Sequence, residues 1–309
     1  GAEAWAAAGR LATGASIGAP PDLFAPQGQV WGLPPPNPHR WRAEAYRSFS
    51  DLLAVNMRHA GALRIDHVLG LSRLFWVPEG AEGSEGAYVA YPRDDLLGVL
   101  ALESRRAECL VIGEDLGTVP DGLRDALGAA GIYRYTVLPF EREGAAFRPP
   151  SQYPPRALAC VSTHDIAPIA GWWEGRDIGE RRALRLLDPG GAEAALSERA
   201  ADKAALLSAM AEAGCALAWT PDSPFSADLA AAIYGFVAAG PSQIVMLQVE
   251  DLVGERVGVN LPGTDRERPN WRKRLGAALD GAPGVEPWRA IVAAVKQARP
   301  PAGSAASGQ

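Results

Sequence analysis

Short apolar runs alternate with longer segments of helical periodicity from about residue 41 to residue 299. Such an alternation is typical of βαβ units that build a parallel sheet. Each run is short and is bounded by polar or turn-forming residues, as strands usually are. Five runs are predicted to be strands: Ala62–Asp66, Cys109–Asp115, Tyr133–Leu138, Ala157–Ser162 and Gln243–Val249.

The segments between these runs carry apolar residues at helical spacing. Five strands with intervening helices predict an α/β fold with a parallel sheet, whereas a closed parallel barrel needs eight strands. Helices are predicted at about Trp41–Ala60, Asp94–Arg106, Asp121–Ala130, Gly179–Leu187, Ala192–Ala213, Phe225–Ala238, Trp271–Leu279 and Pro287–Ala298.

The first forty residues follow a different pattern, because prolines recur from Pro20 to Pro38. Proline disfavours long helices and interior strands, so this region is predicted to be a loop or a linker. It also carries Gln29, Trp31 and Trp41, and aromatic residues are scarce in simple linkers. We therefore expect an ordered loop that faces a ligand over residues 1–40, part of a barrel over 41–299, and a disordered tail over 300–309.

Composition limits the classes of function. The chain has 309 residues, 48% hydrophobic and 21% charged, with a formal net charge of -6. Its length fits two ordinary domains or one large barrel, and its charge gives no footprint for nucleic acid or an anionic membrane. No apolar run is long enough to cross a membrane and the start lacks signal-peptide features, so a cytoplasmic location is expected.

The chemistry of metals, cofactors and disulfides finds little support in the sequence. The three cysteines, Cys109, Cys160 and Cys215, are widely spaced, and the first two lie in apolar runs where a small buried thiol is the expected role. No histidine and carboxylate spacing matches a metal motif, and no glycine-rich phosphate loop is present. We expect no cofactor and no metal.

Acidic residues occupy three of the predicted strand ends. Asp66, Glu114 and Asp165 each follow an apolar run, and parallel barrels place their functional groups at that rim. Two carboxyl groups about 5–5.5 Å apart can transfer a sugar with retention of configuration, one as acid/base and one as nucleophile. The alternative for an acid after a strand is a helix N-cap. Glutamate caps poorly, so this role does not fit Glu114, whereas its neighbour Asp115 can be a cap-like or a loop-ordering partner.

Basic and imidazole side chains accompany these acids. Arg64 lies two residues before Asp66, so both side chains point to one face of an extended strand, and we expect an ion pair that keeps Asp66 ionised. The pair can also serve only to support the rim. His67 and His164, which adjoin Asp66 and Asp165, can donate hydrogen bonds to sugar hydroxyls.

Aromatic pairs and a late polar loop add candidate binding groups. Aromatic faces stack on pyranose rings, although a tryptophan in such a loop is as often simple packing. Asparagine and threonine can bind hydroxyls or form turns. The segments concerned are Phe75-Trp76, Trp172-Trp173, Asn260-Leu261-Pro262-Gly263-Thr264 and Pro269-Asn270-Trp271-Arg272.

Together these segments resemble the amylomaltase, or 4-α-glucanotransferase, family of disproportionating enzymes. In order and approximate spacing the resemblance covers residues 16 to about 275. It is carried by Gly18-Ala19-Pro20-Pro21-Asp22-Leu23-Phe24, Gly28-Gln29-Val30-Trp31-Gly32, Arg64-Ile65-Asp66-His67, Gly113-Glu114-Asp115-Leu116-Gly117, Thr163-His164-Asp165, Gly171-Trp172-Trp173 and the two late polar segments named above.

The resemblance implies roles for individual residues. Asp66 is implied to be the nucleophile of a covalent intermediate, Glu114 the general acid/base, and Asp165 a group that binds ring hydroxyls and distorts the sugar. It further implies that Arg64 and His164 support the acids, that Gln29 and Trp31 belong to a loop over the acceptor groove, and that Asn260 lies on the substrate side.

The resemblance also implies a TIM-barrel glycosidase fold and an α-1,4-glucan or maltooligosaccharide substrate. Family members are longer, so the chain is expected to correspond to their C-terminal part, with strands that resemble the fourth to the eighth. Such an open sheet predicts self-association or pairing with an N-terminal segment. Two alternatives stay open at this point: an α-amylase-type hydrolase and a noncatalytic glucan-binding protein.

Overall fold

The chain folds as two compact units, Gly1–Tyr135 and Thr136–Gln309, each with its own hydrophobic core. The computed structural model describes residues 7–21, 27–215, 218–278 and 280–300. Phe24 and residues 301–309 of the predicted disordered tail lie outside this range. In the described part, no helix combines the length and apolarity needed to cross a membrane.

All five predicted parallel strands are present, each within a few residues of its predicted bounds. Two of them, Ala62–Ile65 and Leu110–Gly113, belong wholly to the first unit, where they pair in parallel. The strands of the first unit are β1 Ala15–Ala19, β2 Gln29–Val30, β3 Ala62–Ile65, β4 Arg73–Pro78, β5 Ala87–Ala90 and β6 Leu110–Gly113.

The first unit also contains an antiparallel sheet that the sequence did not predict. Its strand order is β2-β1-β4-β5, so β1 is an interior strand. The expectation that residues 1–40 hold no interior strand is therefore wrong. The physical reason is that Ala15–Ala19 ends before Pro20, and each of its residues keeps a backbone N–H for the ladder.

The helices of the first unit are Pro38–Ala43, Arg47–Met57, Arg93–Ala107 and Leu123–Ala129. The prediction of a single helix over Trp41–Ala60 is wrong, because the helical conformation is interrupted between Ala43 and Arg47. Ala45 and Tyr46 adopt φ values of 51° and 59°, in the left-handed region. Asn37 caps the first helix by accepting from the backbone N–H groups of His39 and Arg40 at 3.0 and 3.2 Å.

The second unit contains parallel strands and most of the helices. The boundary between the units falls within strand β7, Arg134–Val137. This strand belongs to a three-stranded sheet in which Ala157–Cys160 lies between Arg134–Val137 and Ile244–Met246. The remaining strands are β8 Arg142–Glu143, β9 Ala146–Phe147, β10 Ala157–Cys160 and β11 Ile244–Met246. The helices are Ile169–Glu174, Arg176–Ala183, Pro189–Glu212, Ala227–Ala238, Val249–Leu252 and Glu286–Ala298.

The helix predicted over Trp271–Leu279 is wrong, since residues 271–278 form a loop and Leu279 lies outside the described residues. The φ of Trp271 is 60°, which is incompatible with a right-handed helix. The Glu255 carboxylate accepts hydrogen bonds from Lys273 Nζ and from the backbone N–H of Gly276. Side-chain bonds of this kind satisfy backbone groups that a helix would otherwise pair.

Candidate active site

Asp66 and Glu114 follow directly after paired ends of neighbouring strands. The last parallel pair of β3 and β6 is Ile65 opposite Gly113, so the next residue on each strand is one of the two acids. The Glu114 N–H donates to the Ile65 carbonyl at 2.9 Å, which continues the ladder by one step. Both carboxylates therefore leave the same carboxyl end of the parallel pair, as the sequence predicted.

Glu114 is buried, with 8% of the residue exposed. Its Oε2 accepts from the His67 backbone N–H at 2.8 Å and its Oε1 from the Leu116 backbone N–H at 2.7 Å. Burial raises the pKa of the Glu114 carboxyl above its ordinary value, a shift that the two hydrogen bonds oppose and the nearby Asp66 charge reinforces. The group therefore holds its proton to a higher pH than an exposed glutamate.

Asp66 has the opposite environment. Its side chain is 75% exposed, and Oδ1 lies 2.8 Å from Nη1 of Arg64. The predicted Arg64–Asp66 ion pair is confirmed. The Arg64 guanidinium lies 4.9 Å from the centroid of the Tyr135 ring, a cation–π contact that fixes its position. Asp66 thus presents a carboxylate oxygen to solvent while an arginine holds the other side of the group.

Asp115, next to Glu114, holds the following loop in place through buried ion pairs and a hydrogen bond. Its side chain is fully buried, and Oδ2 accepts from Arg124 Nε at 3.0 Å and from Arg134 Nε at 2.9 Å. Oδ1 accepts from the Tyr135 backbone N–H at 3.2 Å. The loop-ordering role predicted for Asp115 is confirmed, and its partners come from the next helix and the next strand.

Gln29 and Trp31 lie beside the residue that follows Asp66. Trp31 Nε1 donates to Gln29 Oε1 at 3.0 Å, and the Trp31 ring meets the His67 imidazole edge-on, with centroids 5.2 Å apart. Their approach depends on Gly18, where an added Cβ would lie 2.0 Å from the Gln29 carbonyl oxygen. The proline-rich region therefore places Trp31, and Gln29 bonded to it, next to the strand end that carries Asp66.

His67 combines backbone strain with burial. Its φ of 45° lies in the left-handed region, which only a small fraction of non-glycine residues adopt. The backbone N–H of His67 donates to Oε2 of Glu114 at 2.8 Å. Burial lowers the pKa of the His67 imidazole and the Asp66 charge partly opposes the effect, so the ring is biased towards its neutral form.

In the second unit, Asp165 contacts two other predicted site residues, His164 and Asn260. Its Oδ2 lies 3.1 Å from His164 Nε2, and its Oδ1 accepts from Asn260 Nδ2 at 2.8 Å. The Asp165 backbone N–H donates to Thr163 Oγ1 at 3.2 Å. His164, Asp165 and Asn260 thus form one exposed polar cluster, although 95 residues separate Asp165 from Asn260 in sequence.

A buried polar network around Asp251, which sequence reasoning missed, supports this cluster. Oδ2 of Asp251 accepts from Ser162 Oγ at 2.7 Å and from Tyr234 Oη at 2.6 Å, and Oδ1 accepts from the Ile169 backbone N–H at 2.7 Å. Burial raises the pKa of Asp251, opposed by these hydrogen bonds. The network ties down both ends of the loop that carries Asp165. Asp251 closely follows the last predicted strand, which was the available signal.

The loop that carries Asn260 is held by Arg268, a buried residue. Arg268 Nε lies 2.8 Å from Glu180 Oε1, Nη1 donates to Asn270 Oδ1 at 2.7 Å, and Nη2 donates to the Gly258 carbonyl at 2.5 Å. Asn270 Nδ2 in turn donates to Thr264 at 2.9 Å. Of the two roles open to this polar segment, Asn270 and Thr264 form turns, whereas Asn260 contacts Asp165.

The two aromatic pairs considered for sugar stacking are largely packing residues. Phe75 and Trp173 are buried, and Trp173 Nε1 donates to the Ser223 carbonyl at 2.8 Å. Trp172 packs against the second core and lies under the Arg199 guanidinium. Within the described ranges, no group of three or more His, Cys, Asp or Glu side chains is placed to hold a metal ion.

The chain is similar to known proteins both in sequence and in structure. The family model described as 4-alpha-glucanotransferase, glycoside hydrolase family 77, matches residues 1–279. The chain is 39% identical over 286 residues to the 4-alpha-glucanotransferase of Haemophilus influenzae, covering 90% of the chain and 40% of that protein. It is 40% identical over 289 residues to the Mycobacterium tuberculosis H37Rv 4-alpha-glucanotransferase, covering 92% of the chain and 39% of that protein.

Solved structures show the same relationship. The amylomaltase of Corynebacterium glutamicum superposes with a TM-score of 0.90 at 35% identity, over 96% of this chain and 44% of that chain. An amylomaltase of Streptococcus agalactiae in complex with acarbose shares the fold, with a TM-score of 0.70 at 19% identity, over 92% of this chain and 51% of that chain. The predicted α/β, TIM-barrel class is confirmed. The chain spans about two-fifths of the length of the curated relatives named above.

Proposed function

The chain belongs to the 4-alpha-glucanotransferase family, and we propose that it transfers α-1,4-glucan segments to the 4-hydroxyl of an acceptor sugar. One observation carries the proposal: Glu114 is buried with a raised pKa, while Asp66, which follows the paired strand, is exposed and ion-paired. Two carboxyl groups with such different environments divide into an acid and a nucleophile. That division is what a retaining transfer needs.

In the proposed first step, protonated Glu114 gives its proton to the glycosidic oxygen while that oxygen leaves C1 of the donor sugar. A carboxylate oxygen of Asp66 attacks C1 and forms a covalent glucosyl ester. In the second step, the Glu114 carboxylate takes the proton of the acceptor 4-hydroxyl, whose oxygen attacks C1 and releases Asp66. Arg64 Nη1, 2.8 Å from Asp66 Oδ1, pairs with this carboxyl group and holds it in position for the attack.

The substrate roles follow the polar contacts. We assign Asp165 to sugar hydroxyls, with His164 and Asn260 fixing its two carboxylate oxygens. Gln29 and Trp31 are assigned to the acceptor side, because the Trp31 ring contacts His67 next to Asp66. A bound acceptor would displace water from Gln29 and Trp31, and a dry acceptor side favours transfer over hydrolysis.

The test is to incubate the chain with maltotriose and to separate the products by size. Glucose together with oligomers longer than maltotriose is the expected result, because each transfer lengthens one acceptor. Asp66→Asn and Glu114→Gln should abolish this redistribution, whereas Glu79→Gln, an exposed glutamate of the same unit, should not. Turnover that survives both site substitutions would refute the assigned roles.

The same assay separates the two alternatives. Glucose and maltose as the only products would indicate an α-amylase-type hydrolase. Saturable binding of maltooligosaccharides without turnover would indicate a noncatalytic glucan-binding protein. A cytoplasmic location, and self-association or pairing with a further polypeptide segment, stay predictions. Light scattering of the purified chain, alone and with its substrate, tests the association.

A further inference from the structure

Trp271 stands out in the second unit because its ring is exposed while its backbone is tightly held. The residue is 63% exposed, and its φ of 60° lies in the left-handed region. A bulky side chain in that region is uncommon and strained, so it persists only where the surrounding contacts fix it. An exposed indole contributes little to burial, so packing does not explain this conformation.

Contacts at Trp271 and at the residue before it fix the backbone position of Trp271. Its backbone N–H donates to the Val259 carbonyl at 2.9 Å, directly before Asn260. The preceding residue, Asn270, accepts from Arg268 Nη1 and from the Leu261 backbone N–H at 3.1 Å. The loop thus holds the Trp271 backbone in place through hydrogen bonds to its own residues. Such preorganisation is typical of ligand-binding side chains.

The Trp271 ring lies beside the polar cluster at Asp165. Its centroid is 5.4 Å from that of the His164 imidazole, with an angle of 45° between the planes. His164 Nε2 contacts Asp165, and Asp165 accepts from Asn260. An exposed aromatic face next to hydrogen-bond donors and acceptors matches the chemistry of a sugar ring, which has apolar C–H faces and a polar hydroxyl rim.

We propose that Trp271 is a specificity-determining residue that stacks on a glucosyl ring of the glucan next to the Asp165 cluster. The inference rests on the proposed function and names a binding group for it. Its geometric basis is independent of Asp66 and Glu114, because every contact used lies within the second unit. The ring supplies the apolar face of the site, and the three polar side chains bind hydroxyls at its edge.

Two variants distinguish the contribution of the Trp271 ring from that of the backbone conformation. Trp271→Gly removes the indole and adopts a φ of 60° without strain, so the loop and the fold should be kept. Trp271→Phe keeps an aromatic face. Val257→Ala is the matched control, since it removes an exposed apolar side chain from the same loop region. The measurements are calorimetric titration of each protein with maltoheptaose, the KM and kcat of transfer, and urea unfolding.

Trp271→Gly is expected to weaken maltoheptaose binding and to raise KM about tenfold with little change in kcat, the size of a typical aromatic contact. Trp271→Phe should recover most of the affinity, and Val257→Ala should bind like the parent. Parent-like binding by Trp271→Gly, or equal losses in the Gly and Phe variants, would overturn the stacking role alone. A parent chain that neither binds nor turns over maltooligosaccharides would refute the proposed function and the inference with it.

Discussion

The backbone N–H of His67 donates a 2.8 Å hydrogen bond to Oε2 of Glu114. His67 is the residue that follows Asp66, so the two proposed catalytic carboxylates are joined by one peptide unit and one hydrogen bond. This hydrogen bond holds the Asp66–His67 peptide group against the Glu114 carboxyl. The position of the proposed acid/base is therefore coupled to that of the proposed nucleophile, and any shift of one strand end changes both.

Glu114 predicts the pH profile of transfer. Its raised pKa keeps the carboxyl protonated above the ordinary glutamate range, and the first step needs that proton. We expect the alkaline limb of kcat/KM to lie above the ordinary glutamate pKa, and Glu114→Gln to lower kcat by about 10²–10⁴-fold. Initial rates with maltotriose across pH test this. An alkaline limb at the ordinary value would contradict the assignment of Glu114 as acid.

The same shift predicts a stability effect. A carboxyl whose pKa is higher in the folded than in the unfolded state contributes most below its unfolded pKa, and that contribution is lost as pH rises through the folded pKa. Glu114→Gln cannot ionise, so its free energy of unfolding relative to the parent should be higher at neutral pH than in acid. Urea unfolding of both proteins at the two pH values gives the difference. A difference of the opposite sign would show that Glu114 is stabilised as an anion.

Asp115 predicts a large structural effect without a chemical role. It is fully buried and accepts from Arg124, Arg134 and the Tyr135 backbone N–H. Asp115→Asn removes the charge and leaves two guanidinium groups without their anion, which we expect to cost about 3–5 kcal/mol. Asp51→Asn, an exposed aspartate in a helix of the same unit, should change the free energy of unfolding by less than about 0.5 kcal/mol. Similar losses in both variants would contradict this account.

The parallel strands and the acids at their ends were predictable because burial and chemistry leave local marks. A buried strand gives a continuous apolar run, and Glu114 ends one abruptly. The antiparallel sheet leaves no such mark, because Ala15–Ala19 has small residues at every position but Ile17 and becomes a strand through its pairing with Arg73–Pro78. The break at Ala45 and Tyr46 carries neither glycine nor proline, so helical periodicity continued through it.

In the candidate site, residue types were predictable and partners were not. Arg64 and Asp66 are two residues apart, so strand geometry alone paired them. Asp165 was indicated by its position after an apolar run and Asn260 by its polar loop, but no spacing indicated that the two side chains contact each other, because only the fold brings them together. Asp251 was missed because a single acid after a strand is a common N-cap, and only burial distinguishes it as a network centre.

The Asp251 network predicts a pH-dependent cost for Tyr234→Phe. Tyr234 donates to Asp251 at 2.6 Å, and this bond lowers an Asp251 pKa that burial raises. Removing the hydroxyl should cost about 1–3 kcal/mol. The cost should be larger above the folded Asp251 pKa, where the ionised carboxylate needs the donor, than in acid, where Asp251 is protonated in both states. Tyr88→Phe, at an exposed tyrosine, is the control. If Tyr234→Phe lowers the free energy of unfolding equally at all pH values, the Tyr234 hydrogen bond does not depend on the ionisation of Asp251.

Arg268 predicts an effect on both stability and substrate affinity. Its guanidinium holds Glu180, Asn270 and the Gly258 carbonyl at once, in the loop that carries Asn260. Arg268→Ala should destabilise the chain by about 3–5 kcal/mol, because it leaves acceptors without their donor. Arg268→Lys should recover only part of the loss, since an ammonium cannot reproduce a planar fork of donors.

For the glucan, the Arg268 variants should raise KM more than they lower kcat, because Asn260 loses its fixed position against Asp165 while Asp66 and Glu114 lie in the other unit. Arg266→Ala, an exposed arginine of the same loop, is the matched control and should leave both constants unchanged. The measurements are urea unfolding and transfer kinetics with maltotriose. A fall in kcat at constant KM would contradict a positioning role, because loss of substrate contacts alone acts through binding.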